Sequence, residues 1–219
     1  MKKLVVITGA SSGIGMELAR RFSAEGHPVL MLARRREVME ELNLPNSLCR
    51  SVDVTDLEAM QSAVREAEEL YGKTDLLINC AGLMLLGYPA EQDFDEWSRM
   101  IDVNVKGVLT GTKAVLSDMI ARNEGTIINI RSIAGRKTFD NHSVYCGTKY
   151  AVHAMTESMC REASGSNVRM IVIAPGVVET PLLSHTSNQE IKDNYNLWKQ
   201  EIDGGLEPSQ IADCAWFAY

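Results

Sequence analysis

Six short and almost wholly apolar runs, separated by stretches of helical periodicity, confine this chain to an alternating α/β architecture. The runs cover residues 4–7, 28–33, 48–52, 75–79, 126–130 and 168–174. A run apolar on every residue suits a parallel strand with helices on both sides, because both faces are then buried. Helix is expected through Met16, Leu18, Ala19 and Phe22, ending near Gly26. Further helices are expected over 38–42, 57–71, 94–122 with an interruption, 144–163, and from about Pro208. Each strand–helix–strand unit implies a right-handed crossover, so the pattern predicts a doubly wound parallel sheet of at least six strands. No linker, repeat or low-complexity tract divides the 219 residues, which predicts one domain over 1–219. Residues 176–205 are polar and weakly periodic, as expected of a loop-rich substrate flap with a short helix.

Composition removes several function classes. The net charge of −7 disfavours a nucleic-acid partner, and Arg34-Arg35-Arg36 is too short to form a basic surface. Cys49, Cys80, Cys146, Cys160 and Cys214 have no CxxC or Cys/His spacing, so neither a disulfide framework nor a metal site is expected. Reduced thiols fit a cytoplasmic protein. No run approaches the ~18 apolar residues of a membrane span. The opening Lys-Lys-Leu-Val-Val-Ile reads as a strand rather than an export signal, and no membrane partner is expected.

The first strand runs into Thr8-Gly-Ala-Ser-Ser-Gly-Ile-Gly15, which opens the first helix. Ligands of open α/β sheets bind beyond the carboxyl ends of the strands, where strand order reverses. Gly9, Gly13 and Gly15 let backbone approach a pyrophosphate, and Ser11, Ser12 and Ile14 complete the turn at a helix N-terminus. Ala33-Arg34-Arg35-Arg36 ends the second strand with no acid before Glu37. A carboxylate there would favour a ribose 2′-hydroxyl, whereas a guanidinium suits a 2′-phosphate. NADP(H) is therefore favoured over NAD(H), with Arg34 the first contact and Arg35 the second. Asp53, with Val54 beside it, is a candidate for the adenine amino group or an ordinary loop residue. Asn79, Ala81 and Gly82 end the fourth strand, where small residues admit the nicotinamide-side ribose.

Tyr145 and Lys149 are four residues apart on an expected helix and share a face, and Ser132 ends the fifth strand. A phenol with a pKa of ~10 is a poor proton carrier at neutral pH, and a neighbouring ammonium favours its phenolate form. Thr8-to-Gly15, Asp53, Asn79-Cys-Ala-Gly82, Asn104, Ser132, Tyr145/Lys149 and Pro175-Gly176 occur in the order of the short-chain dehydrogenase/reductase family, which the chain resembles over nearly its whole length. The resemblance implies a Rossmann-type fold and reversible hydride transfer between a nicotinamide and a carbonyl or alcohol carbon. It gives Tyr145 the role of acid in reduction and base in oxidation, and Ser132 that of positioning the substrate oxygen. Lys149 would bind the ribose and tune the tyrosine, and Asn104 would hold a relay water. Pro175, Gly176, Val178 and Thr180 would lie beside the carboxamide, with Tyr145 and Lys149 also touching the cofactor. A homodimer or homotetramer is implied as well.

Three features depart from the family pattern. Cys80 replaces a common second Asn. Arg131 stands where a small serine is frequent, and strand alternation should turn it to the face opposite Ser132. Relatives continue past a helix like that at Pro208 into a seventh strand, so this fold is expected to lack the last strand within the 219 residues. For the substrate, residues 83–87 are one candidate wall, with Leu182, Leu183 and Trp198 another and His142 at the entrance. Similarity to the branch acting on 3-hydroxy acids and small carbonyls raises a hydroxy acid as a candidate. Arg136, Lys137 and Lys192 are the candidate partners for its carboxylate. The competing readings are a catalytically silent nucleotide-binding regulator or scaffold, and a dehydratase or epimerase on a related fold.

Overall fold

The computed structural model describes residues 2–219. Six strands, β1 (Leu4–Thr8), β2 (Val29–Ala33), β3 (Ser47–Ser51), β4 (Thr74–Asn79), β5 (Gly125–Ile130) and β6 (Val168–Ile173), form one parallel sheet ordered β3-β2-β1-β4-β5-β6. Val5 pairs with Val29 on one side and Leu76 on the other, which puts the reversal of strand order between β1 and β4. A crevice opens there at the carboxyl ends of the strands.

The helices are α1 (Gly13–Ala24), α2 (Arg36–Glu40), α3 (Leu57–Tyr71), α4 (Phe94–Ile101), α5 (Gly107–Ala121), α6 (Ser143–Glu162), α7 (Gln189–Glu201) and α8 (Pro208–Ala218). Alternation along β1 divides the core in two. Val5 and Ile7 join Leu18 and Phe22 of α1 and Ile211 and Ala215 of α8. Leu4 and Val6 face Met60 and Val64 of α3 and Val115 and Met119 of α5. Both faces of the central strands are covered, which is why their sequences lack polar alternation.

Two expected elements shift. The second helix starts at Arg36 rather than 38, where Arg36 pairs with Glu40 one turn on, and it gives way to a turn with Asn43 at φ 47°. The interruption in 94–122 is a π-helical turn, Asp102–Lys106, between α4 and α5. Tertiary contact holds it. Asn104 is drawn to the backbone of Leu83, and a Cβ on Gly107 would lie 2.8 Å from Val54 Cγ2. Such wide turns gather at functional sites.

After β6 comes a 3₁₀ turn, Pro181–His185, and then α7, whose 13 residues exceed the short helix expected. The segment is tied at both ends. Val178 bridges Leu206, while Glu179 accepts from Lys199 Nζ and from Gly205 N. Thr186 accepts from Leu86 N and donates to the Met84 carbonyl. Among the described residues no helix is long and apolar enough to cross a membrane.

Candidate active site

Two adjoining cavities, of about 460 and 490 Å³, occupy the crevice. The first follows the β1–α1 turn, with Gly9, Ser11, Ser12, Gly13, Ile14 and Gly15 along one side. Arg34, Arg35, Asp53 and Val54 line its outer end, and Ala81, Gly82 and Lys149 its inner end. The second holds Ser132, Pro175, Gly176 and Val178. Tyr145, Thr180 and Arg131 border both, so the phenol stands where the two meet.

The glycine turn is forced by packing. Gly9 sits at φ +71°, and a Cβ there would come 2.8 Å from Ala81 Cα. A Cβ on Gly15 would lie 2.3 Å from the Gly9 carbonyl oxygen. Thr8 Oγ1 accepts from the amides of Cys80 and Ala81 at 3.0 and 3.1 Å, pinning the end of β4 against this turn. The result is a narrow backbone-lined groove at a helix N-terminus, which suits a dinucleotide pyrophosphate. At its outer end Arg35 donates to Ser11 Oγ at 3.1 Å, while Arg34 makes no ion pair among the described residues. Asp53 accepts from Thr55 N and Thr55 Oγ1, which holds its carboxyl below the usual range. The residues present fit an NAD(P)-type cofactor.

The Asn79 side chain turns away from the groove. Its Nδ2 donates to Asn129 Oδ1 at 2.9 Å, and Asn129 donates in turn to Thr156 Oγ1 at 2.8 Å. The side chain faces α5, where a Cβ on Gly111 would lie 2.2 Å from Asn79 Oδ1. Asn79 therefore supports the floor from beneath.

Ser132 caps the turn Ile133–Gly135, its Oγ accepting from Ala134 N at 3.1 Å, and like Tyr145 it lines the second cavity. Burial pushes the Tyr145 pKa well above that of free tyrosine, while the Ser132 hydroxyl pulls it back. Lys149 lies 5.6 Å above the Tyr145 ring and donates to the Ile130 carbonyl at 3.4 Å. Burial lowers its pKa to about 8, and the Arg131 guanidinium adds to the effect. The Cys80 thiol is pushed up to about 12 by burial and stays protonated.

Asn104 is 1% exposed and acts as a bracket. Its Oδ1 accepts from Leu83 N at 2.7 Å, and its Nδ2 donates to the Leu83 carbonyl at 2.9 Å and Thr148 Oγ1 at 3.0 Å. Thr148 donates onward to the Tyr145 carbonyl at 2.7 Å. The exit of β4 is thus tied to the first turn of α6. Arg131 is buried, and Nη1 donates to the Gly135 carbonyl at 2.9 Å, bracing the turn that Ser132 caps. The sequence left it without a role. Thr8 and Thr148 were missed as well, because a threonine inside a motif carries no signal of its own.

The sequence profile of the short chain dehydrogenase family matches residues 3–191. The chain belongs to the short-chain dehydrogenase family. This dehydrogenase is 41% identical to an uncharacterised oxidoreductase of Staphylococcus saprophyticus over 217 residues, 96% of this chain and 87% of the relative. It is similar to the closed form of serine dehydrogenase complexed with NADP+, with a TM-score of 0.86 at 32% identity, covering 98% and 88% of the two chains. ElxO with NADP bound gives a TM-score of 0.87 at 27% identity, covering 99% and 91%. The protein is accordingly an oxidoreductase acting on CH–OH groups.

Proposed function

We propose that this dehydrogenase interconverts a carbonyl and an alcohol on a small substrate with NADP(H), and that Tyr145 carries the proton. The observation that carries the reading is the position of Tyr145 at the meeting of the two cavities, with Ser132 lining the same cavity and Lys149 over its ring. When bound, the nicotinamide supplies hydride in reduction and takes it up in oxidation. Ser132 orients the substrate oxygen toward the phenol by donating or accepting without changing its own charge. Tyr145 gives its proton to that oxygen in reduction and removes it in oxidation. Buried alone, the phenol holds its proton too tightly to act as a base. A protonated Lys149 next to it offsets that burial by favouring the phenolate. Asn104 and Thr148 hold Tyr145 and residue 83 in register, so this proton donor needs little reorganisation before reaction.

NADP(H) over NAD(H) is supported by Arg34, which borders the adenosine end of the groove with no ion pair among the described residues, and by the NADP-bound similar structures. The segment 176–205 serves as the substrate flap, since α7 contributes Ile191, Tyr195 and Trp198 to the second cavity. A 3-hydroxy acid is the second substrate reading, supported by the similarity to serine dehydrogenase. Tyr145→Phe tests the mechanism. It should lower kcat by about a thousandfold, within the range of a lost general acid–base group, while cofactor affinity stays within about threefold. Wild-type turnover in that variant would remove Tyr145 from the chemistry.

A further inference from the structure

The second cavity carries a closed ring of four aromatic side chains beyond the catalytic residues. Phe139 and His142 come from the loop before α6, and Tyr195 and Trp198 from α7. Consecutive ring centroids are 5.6 Å apart for Phe139–His142, 6.2 Å for His142–Tyr195, 5.4 Å for Tyr195–Trp198 and 6.4 Å for Trp198–Phe139. His142 also lies 6.1 Å from the Tyr145 ring, which joins this wall to the reacting centre. Met84, Leu86, Leu182, Leu183 and Ile191 supply further apolar surface.

Of the cations around the same cavity one is paired and the other is buried. Arg131 and Lys199 are the arginine and lysine that border it. The first donates to the Gly135 carbonyl, and the second is ion-paired with Glu179, whose other oxygen is held by Gly205 N. Arg136, Lys137 and Lys192, the cations proposed from sequence to hold a carboxylate, do not line the cavity. The Lys137 ammonium instead lies 5.4 Å from the Phe139 ring centre. His142 does not replace them. Its Nδ1 sits 2.6 Å from the Asp140 carbonyl oxygen, which only accepts, so Nδ1 carries the proton. Burial favours the neutral ring, leaving Nε2 a bare acceptor. A carboxylate entering here would lose its hydration, and the one bordering cation without an acid partner among the described residues, Arg131, is buried and turned onto the Gly135 carbonyl.

We infer that the substrate is a neutral carbonyl compound bearing an aromatic ring, an aryl ketone or aldehyde and its alcohol, rather than a hydroxy acid. The inference rests on the Tyr145 reading above. In reduction the carbonyl carbon gains a C–H bond from the hydride of the reduced nicotinamide, which is oxidised. The oxygen gains the Tyr145 proton, and solvent restores it. Aromatic faces and edges around the cavity offer a substrate ring the offset and edge-on contacts such rings prefer.

The test compares acetophenone and benzaldehyde with acetoacetate under NADPH, and 1-phenylethanol with serine and 3-hydroxypropanoate under NADP+. The aryl compounds should exceed the carboxylates in kcat/KM by about a hundredfold, the scale at which a pocket discriminates by unmatched polar groups. Trp198→Ala and Tyr195→Leu should each cost benzaldehyde about tenfold more kcat/KM than they cost propanal, chiefly through KM. Leu183→Arg, which adds a cation to the wall, should narrow the aryl-to-carboxylate ratio about tenfold or more. A binding readout accompanies these, namely the shift in melting temperature of the Tyr145→Phe protein with NADP+ on adding 1-phenylethanol or serine. Stabilisation by the phenyl alcohol and not by serine is expected. Turnover of carboxylates equal to or above aryl compounds overturns the substrate class and leaves the Tyr145 reading standing. Binding of the aryl alcohol with no hydride transfer to any carbonyl overturns the Tyr145 reading while the pocket assignment stands. Equal losses for benzaldehyde and propanal in the ring variants also overturn the aromatic assignment.

Discussion

The Lys149 ammonium lies 5.6 Å from the centre of the Tyr145 ring, one helical turn away on α6, with both side chains buried. Burial lowers the lysine pKa from 10.5 to about 8. A group whose folded pKa is below its unfolded pKa binds fewer protons when folded, so stability rises with pH between those values. The ammonium therefore costs stability at neutral pH. Lys149→Met should stabilise the cofactor-free protein at pH 7 by up to about 3 kcal/mol, taking ~1.4 kcal/mol per pKa unit. The gain over wild type should shrink as pH climbs from about 8 toward 10.5. Urea unfolding at several pH values measures it, and a constant difference would show that the lysine is not under this strain. Turnover should fall at the same time, because the variant loses the charge that favours the phenolate.

Asn104 spends both amide hydrogens and its carbonyl oxygen on Leu83 and Thr148. Asn104→Ala leaves buried backbone groups of Leu83 unpaired, at a cost of about 1–3 kcal/mol for an unsatisfied group. It should also lower kcat more than it raises KM, since the first turn of α6 loses its tie to the exit of β4. Asn104→Asp keeps the acceptor but not the donors, and should recover only part of the lost stability. Equal stability for wild type and Asn104→Ala would mean the bracket is dispensable.

The strands and most helices were legible because burial on both sheet faces leaves a strong local pattern, as at Val5 and Leu77. The 57–71 helix was read to the residue, and in the structure Asp56 caps it at Ala59 N. What was not legible depends on distant partners. The π-helical form of the 94–122 interruption is set by Leu83 and Val54. Asn79 ends β4 beside the groove, yet the strand turns its amide toward Asn129 and Thr112. The aromatic ring needs residues 139 and 142 brought against 195 and 198, and no short-range pattern connects them. Arg131 was expected on the face away from Ser132. Its guanidinium does reach back to Gly135, but the residue still borders both cavities.

Gly15 and Gly9 meet closely enough that glycine is required whether or not a nucleotide binds. A Cβ on Gly15 would stand 2.3 Å from the Gly9 carbonyl oxygen, a backbone atom that cannot swing aside. Gly15→Ala should destabilise the cofactor-free protein by about 1–3 kcal/mol or more through overpacking, with cofactor affinity falling as well. A thermal melt without nucleotide separates the two effects. An unchanged melting temperature would assign this glycine to ligand approach alone.

Arg34 and Arg35 differ in what they already hold, and that difference predicts different variants. Arg35 is bonded to Ser11 Oγ, whereas Arg34 borders the groove with no ion pair among the described residues, its nearest acid influence being Asp53, whose carboxyl it helps depress. A guanidinium gains most from an oxyanion it can chelate, and NADPH carries a 2′-phosphate that NADH lacks. Arg34→Ala should therefore weaken NADPH by about 10–100-fold, the value of a lost charge-assisted pair, and leave NADH within about threefold. Arg35→Ala should weaken both, since it also releases Ser11 in the pyrophosphate turn. Titration of each nucleotide by calorimetry reads the two patterns directly. Equal losses of NADPH and NADH in Arg34→Ala would take the 2′-phosphate away from that residue, and with it the preference for NADP(H).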